Sequence, residues 1–198
     1  MMITLTALVV IIIGTILFTV LYIISVQPAS LSLRVGDKAY GLCGKIRAVA
    51  IVFETLVILG YILFVFGDTY NFTIVTDSVL VIRIVGIVFT ASTLFLMFLG
   101  MLAAGKESTA PRKETTLYQG IYQHMRHPQT LGEMLAWIGI SLILNSLTLL
   151  IFSVIWIPVF IGATIIEDND LAIRFGDAYI SYTKKVGMFW RKSKDVTP

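Results

Sequence analysis

The chain has 198 residues, of which 57% are hydrophobic and 14% charged, and its formal net charge is +3. Soluble domains carry about 25% charged residues, so this composition excludes an ordinary soluble domain and predicts an integral membrane protein. One cysteine and two histidines exclude a disulfide framework and a cysteine-rich zinc motif, and no metal site is expected. The small net charge, without a basic stripe that carries interleaved aromatic residues, argues against a nucleic-acid partner.

Apolar runs predict five transmembrane helices, because a membrane-spanning helix needs about 20 largely apolar residues. The predicted spans cover residues 3–26, 46–66, 79–104, 131–144 and 146–166. The fourth run is short, so it is expected to lean against the fifth. Asn145 and Ser146 are predicted to form the tight turn between these two helices, and Pro158 is expected to kink the last one.

Charges in the connecting segments predict the orientation of the bundle. Segments 27–47 and 105–125 and the tail after residue 166 are rich in Lys and Arg, whereas segment 67–78 contains acids and no base. Because basic loops usually face the cytoplasm, we expect the N-terminus outside and the C-terminus inside. The predicted fold class is all-α, an integral membrane bundle of five transmembrane helices with a cytoplasmic C-terminal amphipathic helix. Residues 1–104 form its three-helix region, and residues 105–198 hold the loop, hairpin and tail.

Residues 120–132, with the sequence GIYQHMRHPQTLG, contain both histidines of the chain, His124 and His127. Pro128 disfavours a helical backbone at His127, so a helix is expected to begin after this step. Two imidazoles packed beside an arginine and a tyrosine, just before an apolar run, indicate a functional segment.

Thr130 and Glu133 have the spacing of a capping box, in which each side chain bonds a free backbone amide at the start of a helix. His127 would then lie beside a helix N-terminus, which favours a carboxylate or another anionic group of a ligand. An alternative of equal weight makes Arg126 and His127 ordinary interfacial residues that flank a membrane helix.

The tail predicts a helix from residue 168 to residue 185 with one apolar and aromatic face. That face contains Leu171, Phe175, Tyr179, Tyr182 and Val186, and the opposite side carries Asp170, Asp177, Lys184 and Lys185. Glu167 at the head of this helix is expected near the membrane face that carries His127. The alternative makes Glu167 one of the acids common at helix starts.

Glu54 lies inside the second predicted span, where an ionised side chain is costly. One interpretation is a polar contact to a substrate passage. The other is a protonated or paired residue that faces the bundle interior, towards Arg47 two turns away. The loop of about twenty residues before Met125 contains Pro111 and several threonines, and its length favours a functional role, a cover for a bound cofactor.

Two motifs in the last third of the chain resemble the isoprenylcysteine carboxyl methyltransferase family and the related phospholipid N-methyltransferases. The first motif comprises Gly120, Tyr122, Arg126, His127, Pro128, Gly132 and Trp137, and the second comprises Glu167, Asp168, Leu171, Phe175, Gly176, Tyr179 and Tyr182. The chain looks most like a small prokaryotic five-helix member, which implies a prokaryotic cell membrane.

This resemblance implies a methyltransferase that depends on S-adenosylmethionine and binds it on the cytoplasmic side, within residues 105–198. In such enzymes the loop before the first motif, the His-Pro segment and the glutamate after the last long helix form the cofactor pocket. Carried onto matching positions, the implied cofactor-binding residues are Thr115, Thr116, Leu117, Tyr122, His127, Pro128, Gln129, Thr130 and Glu167. His127 and the helix N-terminus suit the carboxylate of the methionine moiety, and Glu167 suits the ribose hydroxyls or the amino group of the cofactor. Tyr122 or the C-terminal aromatic face suits packing on its adenine.

The resemblance also implies a lipophilic acceptor that enters from the bilayer, either the carboxylate of a lipidated molecule or the amine of a phospholipid headgroup. The sequence names no catalytic base, because methyl transfer needs mainly placement and exclusion of water. Where prenylcysteine enzymes carry an arginine, this chain has Ala163. Alternatives are a membrane reductase that uses NADPH and a non-catalytic scaffold. The oligomeric state stays open, since Gly86 and Gly100 suit internal contacts and a dimer equally.

Overall fold

The computed structural model describes residues 2–67, 74–108, 111–113 and 119–190, and the regular secondary structure in these ranges is helical. Short 3₁₀ turns at Gly105–Ser108 and Gly120–Gln123 accompany the α-helices. The α-helices are α1 (Met2–Ser25), α2 (Pro28–Val35), α3 (Lys38–Gly67), α4 (Val79–Ala104), α5 (Pro128–Ile143), α6 (Leu147–Ser153), α7 (Trp156–Phe175) and α8 (Asp177–Lys185).

Four helical segments of the described residues are long and apolar enough to cross a membrane. They are Met2–Ser25, Lys38–Gly67, Val79–Ser108 and Leu147–Phe175, the last of which joins α6 and α7. The predicted all-helical membrane bundle is thereby confirmed. α5 has 16 residues and rises about 24 Å, less than the roughly 30 Å of a hydrocarbon core. The fifth span and the orientation of the bundle stay predictions.

α4 and α5 pack closely because glycines line their contact. A Cβ atom on Gly86 would lie 2.6 Å from the backbone nitrogen of Ile143, and one on Gly100 would lie 2.7 Å from Cγ of Gln129. Gly132 packs in the same way on Met97. Gly86 and Gly100 therefore serve a helix interface within the chain, the first of the two uses that the sequence left open.

An aromatic core joins α1, α3, α5 and α7. The rings of Trp137 and Trp156 stack with centroids 4.3 Å apart, and Phe18 meets Trp156 edge to face. Nε1 of Trp156 donates a hydrogen bond of 3.4 Å to the hydroxyl of Tyr61. Because these side chains come from four helices, the core fixes the relative positions of the helices that surround the candidate site.

The predicted turn at Asn145 and Ser146 and the predicted irregularity near Pro158 are confirmed. Asn145 adopts a left-handed backbone conformation with φ 50°, and the hydroxyl of Ser146 accepts a hydrogen bond from the amide of Leu149 as the cap of α6. α6 ends at Ser153 and α7 begins at Trp156. Pro158 explains this interruption, since proline cannot bond the carbonyl four residues earlier and clashes with it.

The prediction of one continuous helix from residue 168 to residue 185 is wrong. α7 ends at Phe175, and Gly176, with φ 56°, begins α8 in a new direction. A positive φ favours glycine, which explains the break. Asp170 is also not on a solvent face: it is buried, and its two oxygens accept hydrogen bonds from the amides of Ala29 and Ser30 at the start of α2.

Candidate functional site

A cavity of about 270 Å³ lies among α1, α3, α4, α5 and α7, beneath the segment that precedes α5. Its volume is close to the lower end of the range of ligand pockets, about 300 Å³. One set of lining side chains is apolar or aromatic: Phe18, Tyr22, Ile51, Met97, Met101, Ala104, Tyr122 and Leu171. The polar set contains Arg47, Glu54, Glu107, Ser108, Arg126, His127, Gln129, Thr130, Glu133 and Glu167.

The cavity brings together most of the residues that the sequence implied for cofactor binding. Tyr122, His127, Gln129, Thr130 and Glu167 all line it. Pro128 is buried and packs on Gly100 of α4, so it shapes the start of α5 without lining the cavity. The remaining predicted residues, Thr115, Thr116 and Leu117, lie outside the described residues.

The start of α5 differs from the predicted capping box. Pro128 occupies the first helical position and His127 the N-cap, where no side-chain cap is formed. Proline is well suited to that position because its fixed φ is already helical and no amide is lost. Thr130 therefore falls within the first turn, and Glu133 points into the cavity instead of returning to the cap.

The imidazole of His127 is held between two carboxylates of α7. Nε2 lies 2.7 Å from Oδ1 of Asp168, and Nδ1 lies 3.4 Å from Oε2 of Glu167. Burial lowers the pKa of His127, but the hydrogen bonds and charges of Asp168 and Glu167 outweigh it and raise the pKa to about 9. His127 is therefore an imidazolium at neutral pH, and the expected proximity of Glu167 to His127 is confirmed.

Asp168 also fixes Arg126 and the C-terminal segment. Its Oδ2 lies 2.6 Å from a guanidinium nitrogen of Arg126, and the hydroxyl of Tyr179 donates to its Oδ1. The other guanidinium nitrogen of Arg126 donates to the carbonyl of Val186 at 2.9 Å, and the amide of His127 donates to the carbonyl of Met188 at 3.1 Å. The two sequence motifs therefore form one hydrogen-bonded unit.

Tyr122 is positioned by both motifs. Its hydroxyl accepts a hydrogen bond of 2.9 Å from Nε2 of Gln129, and its carbonyl accepts one of 2.6 Å from the hydroxyl of Tyr182. Burial is the main cause that raises the pKa of Tyr182 to about 12, and burial raises the pKa of Tyr122 as well. Both phenols therefore stay neutral near pH 7 and act as hydrogen-bonding groups.

Arg47 and Glu107 are site residues that the sequence reasoning missed. Arg47 donates to the carbonyls of Ser25 at 3.2 Å and Ser108 at 3.0 Å, while its Nε is buried without a partner among the described residues. Glu107 pairs with Arg174, and their side chains are only 6% and 3% exposed. Arg47 looked like a basic residue at the end of a span; its spacing of seven residues from Glu54 was the available signal.

Glu54 and Glu133 both line the cavity, and their carboxyl groups share a hydrogen bond. Of the two interpretations of Glu54, the structure therefore agrees with a paired residue in the bundle interior, although its partner is Glu133 and not Arg47. Both residues also line the cavity, so the pairing does not exclude a ligand contact. Within the described residues, the His, Cys, Asp and Glu side chains form no group of three that could hold a metal ion.

Comparisons with known proteins agree with the two sequence motifs. The family model for phospholipid methyltransferase matches residues 81–178. A methanethiol S-methyltransferase 1 from Bradyrhizobium diazoefficiens is 37% identical over 91 residues, which are 45% of this chain. The match spans only 30% of that relative's length. No solved structure matches the chain significantly. The resemblance predicted from the two motifs is confirmed: residues 81–178, about half of the chain, are similar to the phospholipid methyltransferase family.

Proposed function

We propose that the protein is a membrane methyltransferase that uses S-adenosylmethionine and acts on an apolar acceptor that enters from the bilayer. The observation that carries this proposal is the cavity in which the two family motifs meet, with Glu167 held against His127 at 3.4 Å. The family match supports the reaction class. S-adenosylmethionine supplies an electrophilic methyl group on a sulfonium, which suits a site that lacks an obvious triad or metal ligand set among the described residues.

Glu167 is the residue we assign to the ribose hydroxyls or the amino group of the cofactor. Its side chain is 30% exposed, so it keeps room for a ligand although one oxygen faces His127. Both nitrogens of His127 face carboxylates, so we assign His127 a positioning role and not the direct contact to the cofactor carboxylate that the sequence suggested. A buried imidazolium orients Glu167 and balances its charge.

Arg47 fits the carboxylate of the methionine moiety. It forms no salt bridge with the described residues, and its buried Nε has no partner there, unlike the guanidinium of Arg126, which is bound by Asp168. A guanidinium whose hydrogen bonds go to backbone carbonyls retains a favourable interaction for an anion. Tyr122 and Gln129 provide a hydroxyl and an amide that suit the remaining polar groups of the cofactor.

Apolar side chains, among them Phe18, Ile51, Met97 and Met101, form part of the cavity wall. We assign them to the acceptor, because apolar side chains suit a hydrophobic molecule and exclude water, which supports transfer by placement. Ala163, where prenylcysteine enzymes carry arginine, is buried and does not line the cavity. We therefore favour acceptors other than prenylcysteine carboxylates. The thiol substrate in the name of the bacterial relative is one such class.

The test is isothermal titration of S-adenosylhomocysteine into the detergent-purified protein. We expect saturable binding that Glu167→Gln weakens at least tenfold, since a lost hydrogen bond to a charged group is worth about 1.5 to 3 kcal/mol. His124→Gln is the matched control, because His124 is exposed and does not line the cavity; it should bind as the parent does. Failure of the folded protein to bind S-adenosylhomocysteine would exclude the proposal. Binding of NADPH instead would favour the reductase, and binding of neither compound would favour the scaffold.

A further inference from the structure

The Glu54 and Glu133 pair is the part of the cavity that cofactor binding leaves unexplained. Glu54 lies near the middle of α3, seven residues and about 10 Å along the helix from Arg47. Glu133 lies one turn beyond Gln129 in α5. The pair is therefore deeper in the bundle than Arg47, Gln129 and His127, which line the same cavity.

A hydrogen bond between two carboxyl groups requires that they hold at least one proton between them. Two hydrogen-bonded carboxyl groups repel each other strongly when both are ionised. At least one of the two groups is therefore protonated, and with a single shared proton the pair has a net charge of about −1. This arrangement repels an acceptor carboxylate and has an oxygen that accepts a proton.

On the basis of the proposed function, we propose that the Glu54 and Glu133 pair takes the proton of the methyl acceptor, so that the acceptor is an apolar thiol or amine and not a carboxylate. A carboxylate acceptor has no proton to lose at neutral pH and gains nothing from such a pair. A thiol or an ammonium group must lose a proton before or during transfer, and a positioned carboxylate accelerates that loss.

The step balances without any further reactant. The carboxylate oxygen of the pair accepts the proton of the acceptor's S–H or N–H bond, and the electron pair of that bond stays on sulfur or nitrogen. The new bond from that atom to the methyl carbon forms as the bond from the methyl carbon to the sulfonium sulfur breaks. The proton leaves the pair to solvent before the next turnover.

Other ionisable groups line the same cavity. They are Tyr22 of α1, Arg47 of α3, Glu107 after α4, Tyr122, Arg126 and His127 before α5, and Glu167 of α7. Glu107 is engaged by Arg174 and Glu167 by His127. Among these carboxyl groups, only Glu54 and Glu133 are paired with each other, which makes them the assigned proton acceptor.

The experiment measures methyl transfer to three acceptors with the same chain: 1-hexanethiol, hexylamine and hexanoate. Products are counted by mass spectrometry as thioether, secondary amine and methyl ester, and S-adenosylhomocysteine binding is titrated in parallel. We expect transfer to the thiol or the amine at least 100-fold faster than to hexanoate. Glu54→Gln and Glu133→Gln should lower kcat about 100-fold or more while binding of S-adenosylhomocysteine changes less than threefold.

Two further measurements separate proton transfer from a structural role. Thr55→Ala is the matched control, since Thr55 is adjacent to Glu54 but exposed, with its hydroxyl bonded to the carbonyl of Ile51; it should keep the parental kcat. If 1-hexanethiol is the substrate, the Gln variants should regain kcat by about tenfold per pH unit as the thiol ionises by itself. If hexylamine is the substrate, kcat of the Gln variants should rise with pH in the same way, because the ammonium group then loses its proton to solvent.

The outcomes separate this inference from the proposed function. Three results overturn only the role of the pair, provided that S-adenosylhomocysteine binds. They are preferred methylation of hexanoate, no methylation of the thiol or the amine, and Gln variants that keep the parental kcat. Absence of S-adenosylhomocysteine binding overturns both.

Discussion

The carboxylate of Asp168 lies 2.7 Å from Nε2 of His127 and 2.6 Å from the guanidinium of Arg126. One side chain of α7 thus holds both residues that precede α5. These contacts are shielded, with Arg126 10% and Asp168 17% exposed. Asp168 therefore helps to position two residues that line the cavity, although the sequence drew attention to its neighbour Glu167.

Replacement of Asp168 by Asn should destabilise the protein by about 3 kcal/mol, because it leaves two largely buried cations without their shared carboxylate. Binding of S-adenosylhomocysteine should weaken as well, since His127 no longer orients Glu167. Thermal unfolding in detergent measures the first effect and titration the second. Asp177→Asn is the control, because Asp177 is exposed at the start of α8. Equal losses for the two variants would contradict the assigned role of Asp168.

The stability of the protein should depend on pH through His127. The folded-state pKa is raised to about 9, above the unfolded value of about 6.5. The contribution is therefore complete below about pH 6.5 and is lost as pH rises through about 9, with an upper limit of about 3 kcal/mol. The measurement is the difference in unfolding temperature between the parent and His127→Gln from pH 6 to pH 10. That difference should shrink with rising pH, and His124→Gln should show no such trend.

The sequence predicted the fold and the meeting of the two motifs because both rest on strong local signals. Apolar runs of about 20 residues mark membrane helices, and the His-Pro step predicts a helix that begins close after it, although α5 begins at Pro128 itself and not after Thr130. The proximity of His127 and Glu167 followed from the expected placement of both segments on one membrane face. The structure confirms that proximity, while the orientation towards the cytoplasm stays a prediction.

The remaining errors come from tertiary contacts that outweigh local patterns. Glu133 has the spacing of a capping box, but its partner is Glu54 on another helix. The apolar period of three and four residues continues across Gly176, although the backbone there turns with a positive φ. Arg47 resembles any basic residue at a span end, and only its contacts with Ser25 at the end of α1 and Ser108 after α4 show where it lies in the cavity.

The buried pair of Glu107 and Arg174 supplies a test of the packing beside the cavity. Glu107→Gln should cost about 3 to 5 kcal/mol, because it leaves the Arg174 charge without this carboxylate in a site that is almost fully shielded. The double variant with Arg174→Met should recover part of that loss, since both charges are then removed. A double-mutant cycle by thermal unfolding measures the coupling. A single-variant cost below about 1 kcal/mol would show that the pair contributes little.

The glycine contact between α4 and α5 supplies the last test, because it sets how closely these two walls of the cavity approach. In Gly86→Ala the new Cβ would lie 2.6 Å from the backbone nitrogen of Ile143, and backbone cannot move aside as a side chain can. We expect a loss of about 1 to 3 kcal/mol in the free energy of unfolding. Gly162→Ala in α7 is the matched control: its Cβ meets nothing within 4 Å. That variant should be neutral or more stable by up to about 1 kcal/mol, because alanine favours helix. If both variants unfold at the same temperature, the helices are not held at the separation described.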